Sequence, residues 1–189
     1  MNTALKNSNI QPVLHTERLV LRPFTPDDAT LLSQLAGTKR VVDTTASIPF
    51  PYSPEQALKD ILRFKDEFER GVGAWFAMAL RETPERLIGC VLLKEIIRRD
   101  ELAELGYWID EAHGGKGYVT EAAREMLRFG FHDLGLNRIH ACYMSKNPAS
   151  GRILEKIGMK QEGHLRQAAK KWEQFEDLLV WAILKEEFK

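Results

Sequence analysis

The stretch LGYWIDEAHGGKGYVTEA, residues 105–122, decides how the rest of the chain is read. It opens on an apolar run ending at Ile109, with the length and composition of a strand. A charged connection and the glycines Gly114, Gly115 and Gly117 follow. Over residues 119–131, Ala122, Met126 and Phe129 then recur at helical spacing. A strand therefore runs through a glycine turn into a helix. Glycines in such a turn allow positive φ and a close backbone approach to a ligand. The helix start leaves unpaired N–H groups pointing forward, and its dipole favours an anion there. A phosphate or diphosphate is the expected ligand; the competing reading is a tight turn that needs glycine and holds nothing. Neither nucleotide signature is present, because Gly115-Lys116 is followed by Gly117 rather than Ser or Thr, and GxGxxG does not occur. The strand also comes late in the chain, whereas a dinucleotide fold opens on its glycine turn.

Outward from this stretch, residues 18–24 (RLVLRPF) alternate and read as a strand. Three helix starts share a capping side chain followed by proline. Thr25-Pro26 leads Ala29, Leu32, Leu35 and Ala36. Ser53-Pro54, with Gln56 placed for a capping box, leads Ala57, Ile61, Phe64 and Phe68. Asn147-Pro148 leads Ile153, Leu154 and Ile157, with Gly158 as the stop. Strands are expected at 74–80 and 87–97, separated by a turn at Thr83-Pro84, then at 102–109, 138–144 and 178–184. Trp75 and Phe76 read as core. This order predicts an α/β (α+β mixed) sheet with helices packed on it. Residues 1–13 read as a flexible tail, and 14–189, free of repeats and linkers, as a single domain.

Equal counts of 27 basic and 27 acidic residues leave no excess charge to neutralise a phosphate backbone, so no nucleic-acid partner is expected. No apolar run approaches the ~20 residues of a membrane span, and the polar start lacks a signal-peptide core. Cys90 and Cys142 lie in apolar runs with no metal-ligand spacing, and read as buried, reduced thiols with no metal site. A cytoplasmic protein without membrane attachment, monomer or homodimer, is expected.

HGGKGYVTEA, residues 113–122, resembles the acetyl-CoA pyrophosphate loop of the GNAT superfamily, and most closely that of its RimJ/RimL branch. TERLVLRPF at 16–24 is similar to that branch's first strand, and NPASGRILEKIGM at 147–159, with Glu162-Gly163 after it, to a later segment. Gly114 stands where the wider superfamily has Gln or Arg, and Val119 where it has a small residue. The resemblance implies the GNAT acyl-CoA N-acyltransferase fold, a central, mostly antiparallel sheet flanked by helices. It also implies an N-acetyltransferase that moves an acetyl group from acetyl-CoA to a primary amine by direct attack. The acceptor it implies is a protein N-terminus beginning with Ala or Ser, or a small-molecule amine. An acetyl-CoA-binding sensor or partner subunit without turnover is the alternative.

The resemblance further implies a cofactor site of Tyr107, Trp108 and Ile109, whose backbone meets the pantetheine amides, with Gly114, Gly115, Lys116, Gly117, Tyr118 and Val119 at the diphosphate. Asn147 would bond the pantetheine arm, although it already reads as a helix cap. Ser150 would protonate the departing thiolate; many members use a tyrosine later in this helix, where Leu154 stands here. Glu104 is the candidate base. Alternation puts it on a face with Leu102, Gly106 and Trp108, where apolar surroundings would raise its pKa; otherwise it is a solvent-facing glutamate. Phe50 and Tyr52, in the small and aromatic segment 44–52, are expected to hold the acceptor, or to plug the core under the loop. His113 reads as a solvated loop residue, and Glu121 as capping the loop or pairing with Arg124.

Overall fold

The computed structural model describes residues 10–45 and 47–189. Residues 1–9 of the expected tail lie outside them. Of the remainder, Gln11 donates from Nε2 to Trp75 O at 2.7 Å.

The strands are β1 (Leu14–His15), β2 (Leu19–Arg22), β3 (Ala74–Leu80), β4 (Thr83–Ile97), β5 (Leu102–Ile109), β6 (Arg138–Met144), β7 (Lys160–Lys171) and β8 (Gln174–Leu184). They form one sheet in the order β1-β2-β3-β4-β5-β6-β8-β7, antiparallel throughout except for the β5–β6 pair. The helices are α1 (Ala29–Ala36), α2 (Lys39–Thr44), α3 (Pro54–Glu69), α4 (Tyr118–Arg128) and α5 (Pro148–Lys156). This is the mixed sheet with packed helices that the pattern predicts, and it is mostly antiparallel, as the resemblance implies.

Alternation along the strands divides the core in two. On one face Phe76, Leu93, Leu105 and Ile139 meet Met126 and Leu127 of α4 and Leu154 of α5. On the other, Ala77 and Leu87 meet Leu32 and Ala36 of α1 and Ala57, Ile61 and Phe64 of α3. Within β3, Phe76 and Ala77 thus serve opposite faces. At the start of α3, Ser53 Oγ accepts from Gln56 N at 3.2 Å, satisfying one of the helix's orphan donors.

Three local expectations change. The β3–β4 turn lies at Arg81-Glu82, with Leu80 opposite Thr83; the next pair, Ala79 with Leu87, leaves Pro84 in an irregular stretch where its missing N–H costs no ladder bond. The α4 helix gives way after Arg128 to a π-helical turn, Phe129–Asp133, with Leu134 N bonded to Phe129 O. Residues two apart on an α-helix point in nearly opposite directions, and the wider turn lets Phe129 and Phe131 both be buried. Finally α2 and β7 appear where no pattern announced them.

Below α1, Arg22 grips Asp28 with two hydrogen bonds, 2.8 Å from Nη1 and 2.7 Å from Nη2, while Thr25 N donates to the same carboxylate at 2.8 Å. Burial raises the Asp28 carboxyl, but the bonds from Arg22 and Thr25 outweigh it and hold it below the usual range. A depressed folded-state pKa adds stability above the unfolded value of about 3.9, and that stability is lost as pH falls through the folded value. Asp28→Asn is therefore expected to cost on the order of 3 kcal/mol at pH 7, as for one broken partner of a buried pair. Urea unfolding at pH 7 and near pH 3 checks this: the gap between variant and wild type should narrow at the lower pH.

Candidate active site

The parallel β5–β6 pair has three rungs, Leu102 with Arg138, Ala103 with Ile139 and Glu104 with His140. Beyond them the strands part. β5 stays on β4 as far as Ile109 with Gly89, and β6 stays on β8 as far as Met144 with Leu178. The inner edges of 105–109 and 141–144 therefore face each other across a wedge with backbone groups outside any ladder, the kind of groups that seek a partner. A cavity of about 320 Å³ runs through the wedge and on under α1–α3.

Glu104 stands at the last rung, in the cavity lining. Its expected apolar surroundings are corrected: Oε2 lies 3.0 Å from Lys94 Nζ, on the neighbouring strand, and 3.9 Å from His140 Nε2. Alternation assigned the face correctly, but the side chains that meet it there come from the two adjacent strands.

Across the wedge α5 aims its N-terminus at the cavity. Ser150, buried, lies with Oγ 2.8 Å from Tyr107 Oη, and Tyr107 Oη also donates to Ser150 O at 3.2 Å. Burial pushes the Tyr107 phenol up to about 12 despite the Ser150 hydrogen bond, so it is protonated at neutral pH. Asn147 lines the cavity, and its side chain does not cap α5, contrary to the capping expectation. Gly151 has no Cβ because Tyr143 Oη would be 2.2 Å from it; that contact seats α5 on β6.

At the glycine turn Gly115 and Gly117 have φ of +75° and +83°. Gly114 is extended (φ −62°, ψ 153°), so positive φ is required at two of the three glycines. Gly117 is the residue before α4, and the first N–H bonded back is that of Glu121, to Gly117 O at 3.1 Å. Val119, Trp108 and Ile109 line the cavity. Lys116 and Tyr118 face Arg18: its Nη1 donates to Lys116 O at 3.0 Å, and its Cζ lies 4.7 Å from the Tyr118 ring centroid. His113 is not merely solvated, since its Nδ1 and N lie 2.7 and 2.9 Å from Asp110 Oδ1.

The two acceptor candidates separate. Tyr52 lines the cavity and donates to Asp60 Oδ2 at 2.9 Å. Phe50 is 54% exposed and packs edge-on against Trp172 at the β7–β8 tip. That tip crosses to the end of α2 and the residue after it, with Trp172 Nε1 donating to Asp43 and Lys171 Nζ to Thr45 O at 2.8 Å.

The segment from residue 18 to residue 160 matches the family described as "Acetyltransferase (GNAT) domain". The chain belongs to the GNAT acetyltransferases. It is similar to "Probable N-acetyltransferase YjcK" of Bacillus subtilis (strain 168), with 40% identity over 134 residues, 70% of this chain and 74% of YjcK. It is also similar to "Uncharacterized N-acetyltransferase p20" of Bacillus licheniformis, with 32% identity over 93% of this chain and 97% of p20. Among solved structures, RimL, a ribosomal L7/L12 alpha-N-protein acetyltransferase in complex with coenzyme A, superposes with a TM-score of 0.84 over 92% of this chain and 98% of its own. At 18% identity, that likeness is one of fold.

For a GNAT acetyltransferase the two cysteines carry chemical information. Both line the cavity, but Cys142 is only half-buried, correcting the expectation that both thiols are buried, whereas Cys90 is buried. Burial raises both, and the Glu104 carboxylate raises Cys142 further, so neither is poised as a thiolate nucleophile. Among the described residues no group of three or more His, Cys, Asp or Glu is placed to hold a metal, and no helix is long and apolar enough to cross a membrane. Sequence reasoning missed Lys94 and His140 beside Glu104, and Asp60 behind Tyr52. Each is an ordinary polar residue locally and gains its place from pairing or helix packing. Of the two roles expected for Glu121, capping the loop or pairing with Arg124, the pairing is not made: Arg124 donates from Nη2 to Lys156 O at 3.2 Å, and Glu121 bonds Thr16 and Arg18.

Proposed function

We propose that the chain transfers the acetyl group of acetyl-CoA to a primary amine by direct attack, the acceptor being a protein N-terminus beginning with Ala or Ser, or a small-molecule amine. The carrying observation is the wedge: three rungs of parallel pairing, then two unladdered strand edges, with Glu104 at its apex and Ser150 on its flank. The residues fit the co-substrate. The N–H groups of the glycine turn and the first turn of α4 suit a diphosphate, and the exposed backbone of 107–109, with Asn147, suits the two amides of pantetheine. Acetyl-CoA supplies the activated thioester.

The chain's own groups then handle protons. An α-amino group has a reference pKa near 8 and a lysine amine near 10.4, so the acceptor must lose a proton before it attacks. Glu104 takes it, directly or through a water, and His140 stands behind it at the same rung. A backbone N–H of β5 stabilises the oxyanion. Ser150, held by Tyr107, gives a proton to the departing thiolate and is reprotonated, through solvent in the wedge, by the second proton that the acylated nitrogen releases as the C–S bond breaks. The unreactive state of both cysteines supports attack by the amine itself over an acetylated-enzyme route. Residues 14–189 act as one domain, working in the cytoplasm. A non-catalytic, acetyl-CoA-binding role draws on one observation, the Lys94 ion pair that engages Glu104.

Thiol release from acetyl-CoA, followed with a chromogenic disulfide over Ala- and Ser-initiated peptides, polyamines, an aminoglycoside and amino acids, tests the reading. Turnover with one class names the acceptor. A thermal shift with acetyl-CoA but no turnover supports the sensor, and the absence of both turnover and thermal shift sinks the co-substrate assignment. With an acceptor in hand, Ser150→Ala is expected to lower kcat roughly 10²-fold, the low end for loss of a general acid. Its stability cost should be only about 1 kcal/mol, because Tyr107 keeps Ser150 O as a partner. Single-turnover rates and denaturant midpoints measure the two effects separately.

A further inference from the structure

The glycine turn is tied to the corner between β1 and β2 through one carboxylate and one guanidinium. Glu121 Oε1 accepts from Thr16 Oγ1 at 2.6 Å and from Arg18 N at 2.8 Å, and its Oε2 accepts from Arg18 Nε at 2.7 Å. The same guanidinium donates to Lys116 O and stacks over Tyr118, and a Cβ on Gly117 would stand 3.4 Å from its Nη2. Arg18 thus touches the turn, the first residue of α4 and the first-turn carboxylate at once.

Peptide planarity gives the Lys116 contact a consequence. In a trans peptide the C=O and N–H point in opposite directions, so holding Lys116 O toward Arg18 turns Gly117 N–H to the opposite side. Left-handed φ at Gly115 and at Gly117, with Lys116 between them, produces the sign alternation that gathers successive N–H groups into an anion nest. Burial raises the Glu121 carboxyl, but its bonds from Thr16 and Arg18 outweigh that and keep it ionised. A bare carboxylate here would repel a diphosphate; the guanidinium offsets its charge.

We propose that Arg18 is a positioning residue for the diphosphate of acetyl-CoA: anchored by Glu121, it fixes the Lys116 carbonyl and so aims Gly117 N–H at the anion. This rests on the acetyl-CoA reading above. The test is a calorimetric and 1H–15N NMR titration of the whole chain with coenzyme A. In the wild type the Gly117 amide proton moves downfield, and the amides of β5 shift as the pantetheine arm binds. Arg18→Met is expected to raise the Kd about tenfold, the scale of one charge-assisted contact, and to abolish the Gly117 shift while the β5 shifts persist at saturation. The melting temperature of the free protein should barely change, since a partly exposed ion pair contributes little. If Arg18→Met does not fold, Glu121→Gln, which removes the negative charge and leaves one accepting oxygen where the carboxylate uses two, carries the same readout. Unchanged affinity, or a Gly117 shift that survives, overturns the proposal. So does loss of the β5 shifts in the same proportion, which would make the contact merely structural. A wild-type protein that shows no shift anywhere strikes instead at the acetyl-CoA reading on which the proposal stands.

Discussion

Glu104→Gln is expected to lower kcat by at least about 10²-fold with the KM for acetyl-CoA nearly unchanged, since removal of a general base acts on the proton transfer and not on cofactor binding. The substitution keeps size and hydrogen-bonding capacity but removes the charge that accepts the amine proton. It also breaks the ion pair with Lys94, whose side chain is 36% exposed, so the stability cost should stay under about 1 kcal/mol. Steady-state kinetics with the acceptor found in the amine panel, together with a melting curve, separates these effects. If kcat survives, Glu104 is not the base. Deprotonation would then fall to solvent entering the wedge, and the Lys94 pair would be a structural tie between β4 and β5.

Phe76→Ala should be the most damaging single truncation of the framework, costing about 3–5 kcal/mol. Phe76 is fully buried on the α4 face of β3 and meets Phe129 edge-to-face with centroids 5.6 Å apart. At roughly 2–4 °C per kcal/mol for a chain of this size, the melting temperature should fall by on the order of 10 °C. Trp75→Ala is the control. Trp75 lies on the opposite face, lines the cavity and stacks on Phe64 at 4.2 Å, so it keeps one side toward open space. Guanidinium unfolding of both variants checks the order. A smaller loss for Phe76 than for Trp75 would mean that the α1–α3 layer, and not the α4–α5 layer, carries the main core.

The elements that were legible before folding are those whose signal is local. Ser53-Pro54 and the spacing of Ala57, Ile61 and Phe64 define α3 because a cap and a 3.6-residue period lie within one segment. The glycine turn was legible for the same reason: a positive φ at Gly115 and Gly117 is a demand on single residues, and glycine meets it. β7 was not legible, because KQEGHLRQAAKK is exposed along most of its length and has no buried face to impose alternation. The π turn after α4 was also hidden, since it becomes necessary only when Phe129 and Phe131 must both enter one core.

At the candidate site the division is sharper. Local pattern put Glu104 on the right face of β5 and Ser150 in the first turn of a proline-led helix. Strand pairing brought Lys94 and His140 to Glu104, ended the β5–β6 ladder after three rungs, and set Arg18 against Lys116 and Glu121 from about a hundred residues away. Periodicity within a segment reports which side of a strand or helix is buried, because burial acts on each side chain where it stands. It does not report which strand lies alongside or in what register, since those follow from the packing of the whole sheet. The wedge and its charges exist only once that sheet has formed.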